Sequence, residues 1–289
     1  MSRISWEAAV RWYRAQPGNE QAICDNYFDL PVLSAAERYA GSEEFAEVLR
    51  LLGAGDGRSV LDLGAGNGIA SLALARNGWN VTALEPDPST EVGAGAIRQI
   101  AHETGLPIRV VEEWGERLPF PDASFDAAHC RQVFHHAHDL ERMAAEVFRV
   151  LKPGGHALIT REHVVDDAEQ LAAFLKNHPL QHLYGGEHAY AVSRYVQAVS
   201  VAGFRVSAIW GPLESILNFF PGTEAQRRAA VVRRARRHWL GLGFLLSASR
   251  VFQARALAAF TRRDRTPGRL FSFLVARPSG ESSEKPCVS

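Results

Sequence analysis

Cysteine is scarce in this chain: Cys24, Cys130 and Cys287 are scattered and form no C-x-x-C pair. That excludes a disulfide scaffold and a cysteine-built zinc cluster, and it fits a reducing cytoplasm. Lysine is almost missing too, with only Lys152, Lys176 and Lys285, so arginine supplies nearly all the positive charge. Codon usage explains that pattern before function does. Met1–Val10 lacks the apolar segment of a secretory signal, and the apolar stretch 239–249 has only 11 residues. A membrane span needs about 20. The expected location is therefore cytoplasmic. The 289 residues suffice for one core domain with additions.

What is present is organised around Ser59 to Gly68, which reads S-V-L-D-L-G-A-G-N-G. Val60–Leu63 has the apolar character of a buried strand, and Ile69–Ala75 that of a helix. Strand, glycine turn and helix make the first unit of a doubly wound nucleotide-binding sheet. Glycines bring a ligand against bare backbone amides, and the helix start adds its own N–H groups. A dinucleotide fingerprint needs glycine or alanine at the sixth position, where Ile69 stands; the third glycine, Gly68, comes early. Asn80–Leu84 reads as a second strand ending at Glu85, 21 residues after Gly64. An acidic side chain at that distance accepts ribose hydroxyls.

The D-x-G-x-G-x-G form from Asp62 to Gly68 resembles the first motif of class I S-adenosylmethionine-dependent methyltransferases. Two later blocks resemble the same family: L-P-F-P-D-A-S-F-D from Leu118 to Asp126, and V-L-K-P-G-G from Val150 to Gly155. The resemblance covers Val60 to Thr160. It implies an α/β fold, a Rossmann-like doubly wound seven-stranded sheet, and S-adenosylmethionine as cofactor with S-adenosylhomocysteine as product. The implied cofactor residues are Asp62, Gly64, Gly66 and Gly68 on the first loop, then Glu85 and Pro86. Trp114, Gly115 and Glu116 lie toward adenine, Arg131 follows strand four, and Tyr27 comes from an N-terminal lid. The family often has Asp where Trp114 stands. Here Glu113 or Glu116 takes the adenine amino group while Trp114 packs on the ring, or else Trp114 is core packing.

The expected organisation is an N-terminal helical lid (1–57), the cofactor-binding core (58–210), a helical insertion over the acceptor site (211–269), a last core strand (270–278) and a disordered tail (279–289). Helices are expected near 5–13, with Trp6, Val10 and Tyr13 spaced for one face, and near 34–39, 42–52, 92–104, 140–151, 166–176 and 193–202. Strands are expected at 108–111, 125–130, 156–160 and 204–210, and 177–190 as a loop. Between Arg227 and Arg269, twelve arginines face Asp264 alone, a net of +11 in a chain of net zero. That segment reads as a solvated helical cover, an interfacial membrane helix or a phosphate-binding surface. The absence of a recognised RNA-binding module disfavours nucleic acid; peripheral membrane contact stays open.

Methyl transfer is an in-line displacement, so the protein positions the acceptor and, for oxygen acceptors, takes a proton. His135, His136, Glu162 and His163 follow strands four and five and are the catalytic candidates. In the family resembled, the first two histidines are often structural. Nine of eleven histidines fall between His129 and His188 and, with Glu162, Asp166, Asp167 and Glu187, offer ligands for a divalent metal, yet no pair has a strong ligand spacing, so no metal is expected. The partner expected is a small-molecule acceptor, with methyl transfer to oxygen of a sugar or secondary metabolite. C- or N-methylation, an NAD-dependent oxidoreductase and a non-catalytic nucleoside-binding protein are the alternatives. The oligomeric state is not legible.

Overall fold

A computed structural model describes residues 3–238 and 249–280 of the chain. Seven strands form one sheet: β1 Ser59–Leu63, β2 Asn80–Leu84, β3 Ile108–Val111, β4 Phe125–Arg131, β5 Leu151–Val164, β6 Arg205–Trp210 and β7 Arg269–Ala276. Their order is β3-β2-β1-β4-β5-β7-β6. The first five are parallel, and β7 runs antiparallel to both neighbours. This is the doubly wound sheet the motifs imply.

The helices are α1 Trp6–Arg14, α2 Glu20–Asp25, α3 Val32–Ala40, α4 Glu43–Leu52, α5 Ile69–Arg76, α6 Ala94–Thr104, α7 Leu140–Val150, α8 Ala168–Asn177, α9 Gln181–Tyr184, α10 Val192–Val201, α11 Glu224–His238 and α12 Arg250–Arg263. Strand periodicity sorts the core into two layers. Leu61, Ala128, Ile159 and Phe273 pack toward α7 and α10. Their chain neighbours Val60, Ala127, Leu158 and Leu274 pack toward α3, α4 and α5. Each fully buried Val, Leu, Ile or Phe contributes about 1.5–3 kcal/mol, so the central strands carry much of the stability.

Strand β5 is longer than expected and twice irregular. Between the pairs Phe125–Leu151 and Ala127–His156 it spends five residues against two, so Lys152–Gly155 loops out. Between Ile159–Phe273 and Glu162–Phe271 it spends three against two. The extra residue is Arg161, at φ 62°, whose N–H donates to Ser272 Oγ at 3.1 Å. A one-residue bulge exchanges the faces of everything after it. It therefore decides where Glu162 and His163 go.

Two expectations are corrected here. The stretch 177–190 holds the short helix α9, and Val164 bridges to Tyr190. The insertion was expected to roof the cavity described below, and none of its described residues, 211–238 and 249–269, lines it. Strands β7 and β6 close the sheet's far flank, so the chain between them leaves that edge on the α4 side. Phe220 stacks on Tyr27 at 5.1 Å, and the Arg161 guanidinium donates to the Leu217 carbonyl at 3.3 Å. Helices α11 and α12 pack on each other, with the Arg234 guanidinium 3.6 Å from the Phe260 ring centre. The apolar part of the insertion at 239–248 and the tail at 281–289 lie outside the described residues. Among described residues, no helix is long and apolar enough to cross a membrane.

Candidate active site

One cavity of about 730 Å³ opens over the carboxyl ends of β1, β2 and β4. In a sheet of this order, that is where connections run to opposite faces and a ligand crevice forms. Its cover is α1 and the 178–187 segment. Ser5 caps α1 by accepting from the Ala8 N–H at 3.2 Å. Trp6 then sits between Phe28 and Tyr184, with ring centres 5.6 and 4.6 Å away. The face predicted from Trp6, Val10 and Tyr13 is thus turned inward, with Val10 buried and Trp6 and Tyr13 on the cavity wall.

The glycine loop forms one end. Gly64, Gly66 and Gly68 have φ of 62°, 54° and 85°, which a side chain would resist. At Gly64 a Cβ would also stand 2.8 Å from Val133 Cβ, so the loop presses directly against the end of β4. Gly68 does not line the cavity; it is the left-handed cap that starts α5. The Gly66 and Asp87 N–H groups donate to Glu85 at 2.8 and 3.0 Å. Burial pushes this carboxyl up to about 7, although both bonds favour its charge. Pro86 lines the wall beside it. Asp62 reaches the cavity, but both its oxygens are engaged, by Ser71 Oγ at 2.6 Å and His129 Nδ1 at 3.0 Å.

Trp114 lines the cavity at 56% exposure, edge-on to His138, which removes the core-packing alternative. Gly115 is crowded: a Cβ would lie 2.8 Å from Met143 Cε. The acidic partners expected for adenine are turned elsewhere. Glu113 accepts from the Trp114 N–H at 3.0 Å and is not on the wall. Glu116 is on the wall, yet it accepts from the His138 N–H at 2.8 Å and so ties down the start of the segment leading to α7. Arg131 faces the cavity while paired with buried Glu44 at 2.7 Å. Burial alone would push Glu44 up, but Arg131 and Arg161 hold it below the usual carboxylate range. Tyr27 is a correction. Its ring is buried against Tyr39 and Phe220, and the neighbours Asn26 and Phe28 line the cavity instead. At φ 59° its backbone turns sharply, which sends the side chain away from the side its neighbours face.

The other end is rich in imidazole. Glu162 is fully buried and off the wall, so it does not touch an acceptor as expected of a catalytic group. It accepts from the N–H groups of Val133, Phe134 and His135 at 3.1, 3.2 and 2.9 Å, and pairs with His135 Nδ1 at 2.6 Å. Burial pushes it up to about 7 against those bonds. Glu162 is a positioning residue that shapes the turn after β4. His135 lines the wall, and burial holds it well below the ordinary imidazole range. His136 bonds through Nδ1 to the Gly186 carbonyl at 3.1 Å. His163 bonds through Nδ1 to the Gly268 carbonyl at 2.9 Å, and burial lowers its proton affinity. A carbonyl only accepts, so Nδ1 carries the proton and Nε2 keeps a lone pair. Glu187 arrives from the cover with an oxygen 3.9 Å from His135 Nε2, and His178 stands 3.5 Å from its other oxygen.

Comparison with known proteins identifies the core. The methyltransferase domain family matches residues 61–159, the span holding the glycine loop, Glu85 and the end of β4. Over that span the core is a methyltransferase domain. An uncharacterized methyltransferase of Mycobacterium sp. (strain KMS) is 38% identical over 104 residues, covering 36% of this chain and 38% of its own. The ubiquinone biosynthesis O-methyltransferase of Photorhabdus laumondii is 36% identical over 106 residues, covering 36% of this chain and 42% of its own. The chain therefore spans well under half of these relatives' length. A solved geranyl diphosphate methyltransferase in complex with S-adenosylmethionine superposes with a TM-score of 0.56 at 15% identity, covering 95% of this chain and 96% of its own. That likeness concerns the fold.

Within the methyltransferase core, sequence reasoning found the glycine loop, Glu85 and the histidine-bearing turn. It missed Trp6, Tyr13 and Phe28 as wall residues, although the amphipathic face of α1 carried that signal for the first two. It named Glu187 only as one acid among several, because nothing in the local sequence links it to His135, about fifty positions earlier.

Proposed function

We propose that the whole chain transfers a methyl group from S-adenosylmethionine to a hydroxyl oxygen of a small molecule, such as a sugar or another secondary metabolite. The cofactor's ribose sits on Glu85, its adenosine passes the Gly64–Gly66 loop, and adenine lies along Trp114 and Gly115. Asp62 and Arg131 flank the methionine part. The observation that carries the oxygen assignment is the fixed tautomer of His163: its Nδ1–H is held by the Gly268 carbonyl at 2.9 Å, so Nε2 is left as a base on the cavity wall. An oxygen acceptor must lose a proton as it attacks, and burial keeps this imidazole in the unprotonated form that a base needs. The aromatic wall of Trp6, Tyr13, Phe28 and Tyr184 suits the face of a ring-shaped acceptor.

The test is a labelled-methyl assay on a metabolite pool, followed by mass analysis of the product. Methyl ethers as the labelled products support the reading; labelled amines or new C–C bonds only would overturn the choice of oxygen. Calorimetry with S-adenosylmethionine and with NAD separates cofactor binding from turnover.

A further inference from the structure

We propose that His135, His136 and Glu187 form a site for one divalent transition-metal ion, such as Zn²⁺, Mn²⁺ or Fe²⁺, at the acceptor end of the cavity. Each offers one donor atom, and the three atoms lie within 4.8 Å of one another. Two imidazoles and one carboxylate suit borderline ions, whereas Mg²⁺ and Ca²⁺ prefer all-oxygen shells. Around a metal with bonds near 2.0–2.1 Å, ligand atoms stand roughly 3–3.5 Å apart. His135 Nε2 and Glu187 Oε2 are already at 3.9 Å. Closing the group takes a shift of about 1–2 Å, within reach of side-chain rotation.

The surroundings carry the inference further than the three atoms do. Metal-bound histidine gives its other nitrogen to a carboxylate or carbonyl, which fixes the ring and its tautomer. Both histidines here do so: His135 Nδ1 is on buried Glu162 at 2.6 Å, and His136 Nδ1 is on the Gly186 carbonyl at 3.1 Å. The free lone pairs then belong to the two Nε2 atoms on the wall. The Tyr184 hydroxyl donates to Glu187, and His178 stands 3.5 Å from the same oxygen, which steadies the carboxylate. Imidazole lone pairs gathered beside a buried carboxylate repel, and a cation among them relieves that repulsion. Glu187 and the Gly186 carbonyl both come from the cover, so an ion would also fasten that cover to the turn after β4.

The ion's remaining positions open on the cavity. A hydroxyl of the acceptor placed there becomes more acidic. Its proton passes to His163 Nε2, the oxygen pair forms the new C–O bond, and the C–S pair returns to sulfur, leaving a neutral thioether. The metal changes no oxidation state. This role rests on the methyl-transfer reading; the binding does not.

The full chain, stripped with chelator and dialysed, is titrated with Co²⁺ followed by visible absorption, and with Zn²⁺ followed by elemental analysis. One equivalent with ligand-field bands is expected. Glu187→Gln should weaken binding at least 100-fold, and Glu162→Gln about 10–100-fold through His135. His182→Ala, an exposed histidine on the same segment, should leave it unchanged. Melting and S-adenosylmethionine calorimetry verify that each variant is folded. Normal cofactor binding with no bound metal at 100-fold excess overturns the site and leaves the methyltransferase reading standing. So does metal binding that persists in a Glu187→Gln/His136→Ala double variant. Metal bound stoichiometrically without cofactor binding supports the site and removes the cofactor reading.

Discussion

The two ends of the cavity are made in different ways. Most of the cofactor end comes from 26 consecutive residues, Asp62 to Asp87, through backbone conformation: three left-handed glycines and two backbone N–H groups that hold Glu85. The acceptor end comes from the turn after β4, the end of β5 and the 178–187 segment, joined by side chains. One end is local; the other is a meeting of distant pieces held by buried Glu162 and by the contact of His136 with the Gly186 carbonyl. Damage at the first should show in cofactor affinity. Damage at the second should show in turnover and in folding of the pieces.

The sharpest way to break this contrast is Glu162→Ala. It strips the acceptor from three backbone N–H groups and the His135 ring. Each buried donor left unpaired costs on the order of 1–3 kcal/mol, so with four such donors a loss of at least about 4 kcal/mol is expected. A melting temperature more than 10 °C lower, with turnover abolished, is the expected result. A variant with an unchanged melting curve would mean that water replaces the carboxylate and the ends are equally local.

Next is His163→Ala. Removing a positioned base should lower kcat by about 10²–10⁴-fold while cofactor affinity stays within threefold. Full turnover at saturating acceptor would remove His163 from the chemistry. At the other end, Glu85→Ala should weaken S-adenosylmethionine binding at least tenfold, from lost charge-assisted hydrogen bonds of about 1.5–3 kcal/mol each. Its pH dependence sharpens the point. Burial holds Glu85 near 7, so the ionised form that accepts both hydroxyls fades as pH falls through 7. Calorimetry should find affinity about tenfold weaker at pH 6 than at pH 8, a difference that Glu85→Gln flattens. The smallest effect is expected far from both ends. Arg262→Ala with Arg263→Ala alters exposed side chains on α12 and should change stability by less than about 0.5 kcal/mol per site. A large loss of turnover there would show that the insertion reaches the acceptor after all.

The sheet, the cofactor loop and Glu85 were legible because their signals are local. Apolar runs, alternate glycines and an acid at the end of the next strand are read within about 30 residues. The N-terminal cover was half legible: the face of α1 was right, but Tyr27 was chosen where Phe28 lines the wall. Chain proximity to the pocket does not tell which neighbour a turn at positive φ sends inward. The described part of the insertion misled for a topological reason. Its ends leave the correct edge of the sheet, but the flank position of β6 and β7 sends it toward α4.

The residues themselves determined a doubly wound sheet, a nucleoside-type loop and a histidine-rich chemistry after β4. These follow from short-range periodicity and backbone preference, which any window of the chain displays. Tertiary structure alone decided the roles of the acids and imidazoles. The bulge at Arg161 shifts β5 by one residue against β7, and Glu162 becomes a buried clamp while His163 reaches the wall. Folding of the cover brings Glu187 to 3.9 Å from a histidine some fifty residues earlier. Side-chain direction after a bulge and contact between distant segments depend on register and packing, which no local pattern in the sequence encodes.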